Sequence, residues 1–171
     1  ISKWADRKHH KLEASVLKNA DKTVTVTWSR AEDFNKKKIK EVGVVTNGYD
    51  PQDFIKATGN VPEKFGVTHI GSMNKDRNPI ILWPVLKRLA EEIDGFKEAL
   101  EIRLIGPVDF QIFKSIEENG LNDYLRHTAY KGHKEVINDL LDSAVQLLPI
   151  NNTANLMGVV PGKLFEYIGS R

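Results

Sequence analysis

The chain has 171 residues, of which 40% are hydrophobic and 28% are charged, a composition typical of globular domains and not of disordered or fibrous chains. Its 25 basic and 23 acidic side chains leave a formal net charge of +2, which argues against a dedicated nucleic-acid or anionic-membrane binder. The absence of cysteine excludes disulfides, thiolate metal sites and cysteine nucleophiles, and the longest apolar run, residues 80–86, is too short to span a membrane.

The first fifty residues predict a helix, a strand, a short helix and a second strand. Residues 5–19 carry apolar side chains on one side, as a polar amphipathic helix does. Residues 23–28 form a β-branched run, and Ser29 follows as the expected N-cap of the short helix. Residues 41–50 predict a strand that ends in an Asn-Gly turn. These strand runs are too apolar to leave in water, so we expect residues 1–50 to pack as a partial unit.

Proline and glycine then interrupt the pattern between residues 51 and 66, which indicates a linker or hinge between two units. The chain has no signal-peptide pattern. Because its first residue is Ile1 and not Met, we expect it to be a piece of a longer protein.

Four strand–helix cycles follow. The predicted strands cover residues 67–72, 99–106, 123–131 and 143–149, and the predicted helices cover residues 79–93, 109–119, 133–142 and 161–169. Strands that alternate with helices predict right-handed crossovers and a parallel sheet, so the expected fold class is α/β with a Rossmann-like three-layer sheet. Positions expected to be buried in that sheet are Ile70, Ile102, Leu104, Val145 and Leu147.

The carboxyl ends of the predicted strands bring four loops to one edge of the sheet, where such folds bind ligands. The residues at this edge are Gly71-Ser72, Gly106-Pro107, Tyr130 to Gly132 and Pro149 to Asn152, with Gly162 and Lys163 at the start of the last helix. Glycine lets backbone amides approach a ligand, and a helix start with unpaired N–H groups suits phosphate. Arg77, which follows the first loop, could equally contact phosphate or serve a structural role.

Some of these residues also have a simpler interpretation. Gly106 is expected to serve turn geometry alone, and Lys163 and Glu166 could be only a surface pair on the last helix.

The histidines and the missing sequence motifs reduce the number of candidate site residues and enzyme classes. His133, at a predicted helix start on the ligand edge, is a minor site candidate, whereas His69 and His127 are expected to pack inside strands. The chain has no GxGxxG, P-loop or GxSxG motif, so dinucleotide dehydrogenases, P-loop NTPases and α/β-hydrolases lose their main support.

Five segments resemble one known family in its own order along the chain. They are KNADKTVTVTWSRAEDF (18–34), VGVVTNGYDPQDF (42–54), VTHIGSMNKDRNP (67–79), AYKGHKEVINDLLDSAVQLLP (129–149) and PGKLFEYIGS (161–170). Together they are similar to bacterial family 4 (group 1) glycosyltransferases, which have the GT-B fold. The last segment, which resembles the family's P-x-K-x-F-E-Y-L-A helix start, is the most specific.

The resemblance implies a fragment of an enzyme that moves a sugar from a nucleoside-diphosphate sugar to a glycan or lipid-linked acceptor, with retention at the anomeric carbon. Residues 1–55 would end the N-terminal, acceptor-binding half, residues 56–66 would be a hinge, and residues 67–171 would be the nucleotide-sugar-binding half, incomplete at its C-terminus. Such a piece alone is expected to bind the donor weakly and not to turn over.

The same resemblance implies roles for individual residues. The donor diphosphate would meet Gly71, Ser72, Arg77, Gly162 and Lys163, the ribose would meet Glu166, and the base would meet Tyr130, Lys131 and Gly132. Two positions depart from the family pattern: Ser72 replaces a phosphate-binding cation, and Gly158 replaces the first of two glutamates. Sugar hydroxyls could then be recognised by Asn151, Asn152 or Asn155.

The resemblance also implies no cofactor beyond the nucleotide-sugar substrate. The chain has no Asp-x-Asp sequence, so no metal is expected, and its small net charge predicts no nucleic-acid partner. The resemblance places the protein in the bacterial cytoplasm, at the inner face of the membrane, in the synthesis of cell-envelope polysaccharide. The alternative, which Ser72 and Gly158 keep open, is a Rossmann-like nucleotide-binding module without transferase activity. A basic scaffold that contacts nucleic acid through residues 3–11 and 36–40 is a third and weaker interpretation.

Overall fold

The computed structural model describes residues 2–37, 41–55, 62–152 and 156–170. The chain divides into two compact units. The first holds the residues up to Gly48 and a later stretch that ends at Gly162, and the second runs from Tyr49 to Asn152 and resumes at Lys163.

The first unit has two helices and a short parallel sheet. Its elements are α1 (Lys3–Asn19), β1 (Thr23–Thr25), α2 (Trp28–Lys36) and β2 (Val42–Val44). The β1 and β2 strands pair in parallel, with Thr23 opposite Val42. The prediction of compact packing is confirmed for this unit, but each strand has three residues, and Val24 and Val45 remain mostly exposed.

The N-cap of α2 differs from the one that the sequence predicts. Thr27 has an extended backbone, and its hydroxyl accepts a hydrogen bond from the N–H of Arg30 at 3.4 Å. Ser29 therefore lies inside the first turn, and the prediction that it caps the helix is wrong. Thr27 ends a β-branched run, and threonine is favoured both in strands and at N-caps. The sequence therefore predicted the start of α2 too late in the chain.

The second unit contains a four-stranded parallel sheet with the order β5-β4-β3-β6. Its strands are β3 (Phe65–Ile70), β4 (Leu100–Ile105), β5 (Leu125–Thr128) and β6 (Val145–Gln146). Its helices are α3 (Leu82–Glu92), α4 (Phe96–Ala99), α5 (Phe110–Glu118), α6 (His133–Leu141) and α7 (Lys163–Gly169). The strand order reverses between β3 and β6, which is the switch point at which doubly wound sheets bind ligands.

Two hydrophobic clusters fill the second unit. The larger one surrounds Ile102, Leu104 and Trp83, which are fully buried. The smaller one joins Ile70 to residues of α6 and to Tyr167 of α7. The predicted burial is confirmed for Ile70, Ile102 and Leu104 but not for the last strand.

The β6 strand accounts for that difference. Val145 is 39% exposed and Leu147 is half-buried, so the prediction that both are buried is wrong. The strand has two residues and pairs on one side with β3, which leaves its other side open in the described sheet. An apolar residue on a short edge strand keeps part of its surface in water.

The boundaries of the two units differ in places from the predicted division at residues 55 and 66. Tyr49 and Phe54 fall in the second unit, where their rings meet edge to face at 5.6 Å and approach Gly169 at the end of α7. Most of the predicted hinge, part of the basic run at 36–40, and Asn155 lie outside the described residues.

Pro84 lies in the first turn of α3, where its missing N–H costs no intrahelical hydrogen bond. None of the helices in the described ranges is both long and apolar enough to cross a membrane.

Candidate functional site

The loop after β3 starts at Gly71, which has a positive φ of 92°. Its N–H donates to the carbonyl of Ile105 at 2.6 Å, and the N–H of Met73 donates to the carbonyl of Pro107 at 2.9 Å. These bonds fasten the loop to the end of β4. Ser72, between them, is exposed, and its N–H has no backbone acceptor among the described residues. Beside Gly71, it is therefore the amide of Ser72, and not that of Gly71, that the loop can offer a ligand.

Gly106 packs directly against this loop. It has a φ of 118°, and a Cβ built there would lie 2.9 Å from the backbone of Gly71. The sequence predicts a turn glycine at this position, and the structure adds a close approach between two backbones that no side chain could enter.

Arg77 is held by two hydrogen bonds. It ends a 3₁₀ turn, Lys75–Arg77, and its side chain folds back toward the loop after β3. Its Nε donates to Oδ1 of Asn151 at 2.8 Å, and Nη1 donates to the carbonyl of Ser72 at 3.1 Å. Neither partner carries charge, and within the described ranges no carboxylate pairs with the guanidinium. The positive charge of Arg77 is thus fixed in place but not neutralised.

Lys163, the first residue of α7, brings a second cation to the same loop. Its side chain crosses Gly71 and fills the space in which a side chain of residue 71 would stand. Burial and then the charge of Arg77 lower the pKa of the Lys163 amine, and Glu166 opposes these effects. Across the part of the chain that the structure describes, this amine forms no ion pair.

The two cations and the free amide of Ser72 form a positively charged corner at the carboxyl end of β3. Two like charges held close together repel each other, and a bound anion with several oxygens would relieve this repulsion. Arg77 and Lys163 were each predicted as phosphate contacts, and the structure brings both to the Gly71 loop. The sequence assigned the backbone of Lys163 to the ligand, whereas the geometry offers its side chain.

Glu166 lies half-buried on the first turn of α7. Its negative charge raises the pKa of Lys163, Tyr167 and His133, although it is not the leading cause for any of them. It makes no ion pair with Lys163 within 4.0 Å, so the surface pair that was the simpler interpretation does not form here. Its carboxylate oxygens have no hydrogen-bond partner among the described residues, and they remain open to a ligand hydroxyl.

The loop between β5 and α6 presents one open aromatic ring. Tyr130 is 84% exposed. Lys131 pairs with Asp139 at 2.7 Å, and the N–H of Gly132 donates to the carboxylate of Glu135 at 3.1 Å. The charge of Lys131 is thus already partnered, and the ring of Tyr130 is the group in this loop that is free to stack on a base.

Two histidines of the second unit have different surroundings. His133 pairs through Nε2 with Asp53 at 2.9 Å, and this carboxylate raises the pKa of the imidazole. His69 is buried, as predicted, and its Nδ1 donates to the carbonyl of Leu147 at 2.9 Å. Its Nε2 has no hydrogen-bond partner in the part of the chain that the structure describes. Burial, with the charges of Lys163 and Arg77, lowers the pKa of the imidazole, and the backbone of Leu147 and of Ser72 opposes this shift.

The remaining candidates lie in the first unit. Gly162 is exposed, and the amide of Asn47 lies 3.9 Å from where its Cβ would stand. The carbonyl of Gly158 accepts a hydrogen bond from the hydroxyl of Thr27 at 3.3 Å. The sequence had no signal for either contact, because both join residues far apart in the chain.

No protein-family model and no curated protein sequence matches the chain. Solved structures do match its fold. S. aureus TarM, solved with fondaparinux, alpha-GlcNAc-glycerol and UDP, has a TM-score of 0.57 and 19% identity over 80% of this chain and 27% of its own. The pneumococcal O-GlcNAc transferase GtfA, solved with UDP and GlcNAc, has a TM-score of 0.59 and 14% identity over 91% of this chain and 30% of its own.

A third structure, WaaG, is a glycosyltransferase involved in lipopolysaccharide biosynthesis. It has a TM-score of 0.59 and 14% identity over 96% of this chain and 46% of its own. The chain thus spans less than half of the length of each of these three proteins. Identities this low establish the fold alone, and the predicted α/β, Rossmann-like fold with parallel sheets is confirmed as the fold of glycosyltransferase domains.

Proposed function

We propose that the chain is the donor-binding part of a glycosyltransferase that uses a nucleoside-diphosphate sugar. The observation that carries this proposal is the pair of cations, Arg77 and Lys163, that meet at the Gly71 loop without a carboxylate partner among the described residues. A diphosphate carries the charge that suits this corner. The fold neighbours support the choice, since two of them were solved in complex with UDP.

In the proposed complex, the diphosphate accepts hydrogen bonds from Arg77, Lys163 and the N–H of Ser72. Glu166 accepts hydrogen bonds from the ribose diol, because its ionised carboxylate has open oxygens on the turn next to Lys163. The exposed ring of Tyr130 stacks on the base.

The proposed reaction transfers the sugar, with retention, to a glycan or lipid-linked acceptor of the cell envelope. As the bond from the anomeric carbon to the diphosphate breaks, negative charge grows on the leaving oxygens. Arg77 and Lys163 are already placed to stabilise that charge, and such preorganised cations lower the barrier without rearrangement. The acceptor would bind to parts of the full-length protein beyond this chain.

Calorimetric titration of the chain with UDP, GDP, ADP and CMP tests the proposed donor site. One nucleoside diphosphate should bind more tightly than the monophosphate CMP. Lys163→Met should lower the affinity for that diphosphate by about ten- to a hundredfold. Lys87→Met, which removes an exposed lysine of α3, is the matched control and should change nothing. If none of the four nucleotides binds, or if both variants bind equally well, the chain has no donor site at this corner.

A second function is favoured by one observation. Ser72, which replaces a family cation, is an exposed hydroxyl residue that brings no charge to the loop. The chain would then belong to a nucleotide-binding module without transferase activity. Incubation of the full-length protein with a panel of nucleotide sugars separates the two proposals: released or transferred sugar supports the enzyme, and binding without turnover supports the module.

A further inference from the structure

We infer that Asn151 is a positioning residue, which holds the guanidinium of Arg77 in place for a ligand phosphate. This inference rests on the proposed function, because it assigns a role inside the same diphosphate site. It also gives Asn151 a different role from the recognition of sugar hydroxyls, which the sequence left open for it.

The contact that carries the inference is the hydrogen bond from Nε of Arg77 to Oδ1 of Asn151, at 2.8 Å. The carbonyl of Ser72 accepts a second bond, from Nη1 at 3.1 Å. A guanidinium has five N–H donors in one plane, so two fixed bonds set its orientation and leave the others for phosphate oxygens. A free arginine would lose its rotamer freedom when the ligand binds, whereas Arg77 has lost much of it already.

The partner chosen for Arg77 is also chemically specific. An aspartate at position 151 would accept the same hydrogen bond, but its charge would cancel that of the guanidinium and compete with a phosphate. The amide oxygen of Asn151 orients the cation and leaves its charge available. With its Oδ1 already bonded to Arg77, Asn151 is poorly placed to accept a hydrogen bond from a sugar.

Asn151 is itself supported by a fixed segment of chain. Just before it, the N–H of Leu147 donates to the carbonyl of Thr68 at 2.8 Å. The carbonyl of Leu147 accepts hydrogen bonds from Nδ1 of His69 at 2.9 Å and from the hydroxyl of Tyr167 at 3.4 Å. Residues of strand β3 and of helix α7 therefore both hydrogen-bond to the segment that leads to Asn151, and α7 also carries Lys163.

A double-mutant cycle tests this role. Affinities for UDP, GDP and ADP are measured by NMR titration for the unaltered chain, Asn151→Ala, Arg77→Ala and the double variant. Asn151→Ala should lower the affinity for the tightest-binding diphosphate by about three- to tenfold, because the Arg77 side chain would no longer be held before the ligand binds. In the Arg77→Ala background the same substitution should have no further effect, because no guanidinium remains to be held.

A nucleoside without phosphates gives the second readout. Asn151→Ala should leave the affinity for the matching nucleoside unchanged, since the residue acts only through a phosphate contact. Asn122→Ala, at an exposed asparagine of the 3₁₀ turn before β5, is the matched control and should keep the affinity of the unaltered chain. Thermal unfolding of each variant checks that the fold survives.

The outcomes separate this inference from the proposed function. If the unaltered chain binds none of the diphosphates, both the proposed function and the role of Asn151 are overturned. If it binds and Asn151→Ala binds equally tightly, the positioning role alone is overturned. A loss that persists in the Arg77→Ala background, or that appears equally for the nucleoside, also overturns the positioning role, because it acts by another route.

Discussion

Glu166 forms no ion pair with its neighbour Lys163, so its proposed role is to bind the ribose and not to stabilise α7. Glu166→Gln keeps the shape of the side chain and removes its charge-assisted bonds to a ribose. We expect nucleotide affinity to fall by about 1.5–3 kcal/mol, whereas stability should change by less than roughly 0.5 kcal/mol. Isothermal titration and thermal unfolding measure the two quantities. Unchanged nucleotide affinity would remove Glu166 from the donor site.

His69 should make the stability of the chain depend on pH. Burial, together with the charges of Lys163 and Arg77, lowers the pKa of the folded imidazole below 6.5. As the pH falls through 6.5, His69 binds a proton in the unfolded chain but not yet in the folded chain. The contribution of His69 to stability is therefore complete above that pH and is lost as the pH falls. His133, with its pKa raised by Asp53, contributes in the opposite direction.

His69→Asn tests this expectation, because its amide can still donate to the carbonyl of Leu147 but does not titrate. Urea unfolding at pH 7.5 and pH 5.5 should give a smaller loss of stability for the variant than for the unaltered chain. His9→Asn, at an exposed position on α1, is the matched control and should behave like the unaltered chain. Equal losses in all three proteins would mean that His69 takes up its proton in the folded state.

Single residues also mark how far the sequence could predict this site. The edge of the sheet where the candidate site lies could be predicted, because the loops that follow parallel strands all lie at that edge. Glycines at the strand ends and a basic residue after the first loop marked the candidate residues there. The bond between Arg77 and Asn151 could not be predicted, since it depends on how two distant loops approach. The path of the Lys163 side chain over Gly71 was missed for the same reason.

At the scale of elements, the contact between the loops after β3 and β4 depends on Gly106. Gly106→Ala would meet the backbone of Gly71 and also strain a φ of 118°. Gly95→Ala is the matched control, because it strains a φ of 79° but meets nothing within 4 Å. We expect the control to cost about 1–2 kcal/mol and Gly106→Ala to cost about 1–3 kcal/mol more, by urea unfolding. Equal costs would mean that the two loops separate easily.

The order and type of the main strands and helices followed from the alternation of apolar patterns, but their ends did not. Predicted strands 123–131 and 143–149 shrink to β5 and β6, because only residues with a neighbour on the sheet form a ladder. A sequence shows which residues favour a strand, and it does not show where the partner strand stops.

At the scale of the whole molecule, the two units differ in how much apolar surface they bury. Both hydrophobic clusters lie in the second unit, whereas the buried apolar residues described in the first unit are Leu17, Ala31 and Val42. Hydrogen exchange measured by mass spectrometry should therefore show β1 and β2 opening at least about 2 kcal/mol more easily than β3 and β4. Equal protection in all four strands would mean that the units unfold as one.

The crossing of Lys163 over Gly71 has a consequence for how this site can change over evolutionary time or in a directed-evolution experiment. Because the flexible end of the lysine fills the volume that a side chain at position 71 would need, any residue larger than glycine there would displace the amine from the Gly71 loop. A library that diversifies residue 71 and is selected for donor binding should therefore favour glycine, because other residues would displace the amine and would strain the positive φ. Shortening the lysine would open that volume, and the positive φ of Gly71 would then be the remaining restriction on the choice of residue.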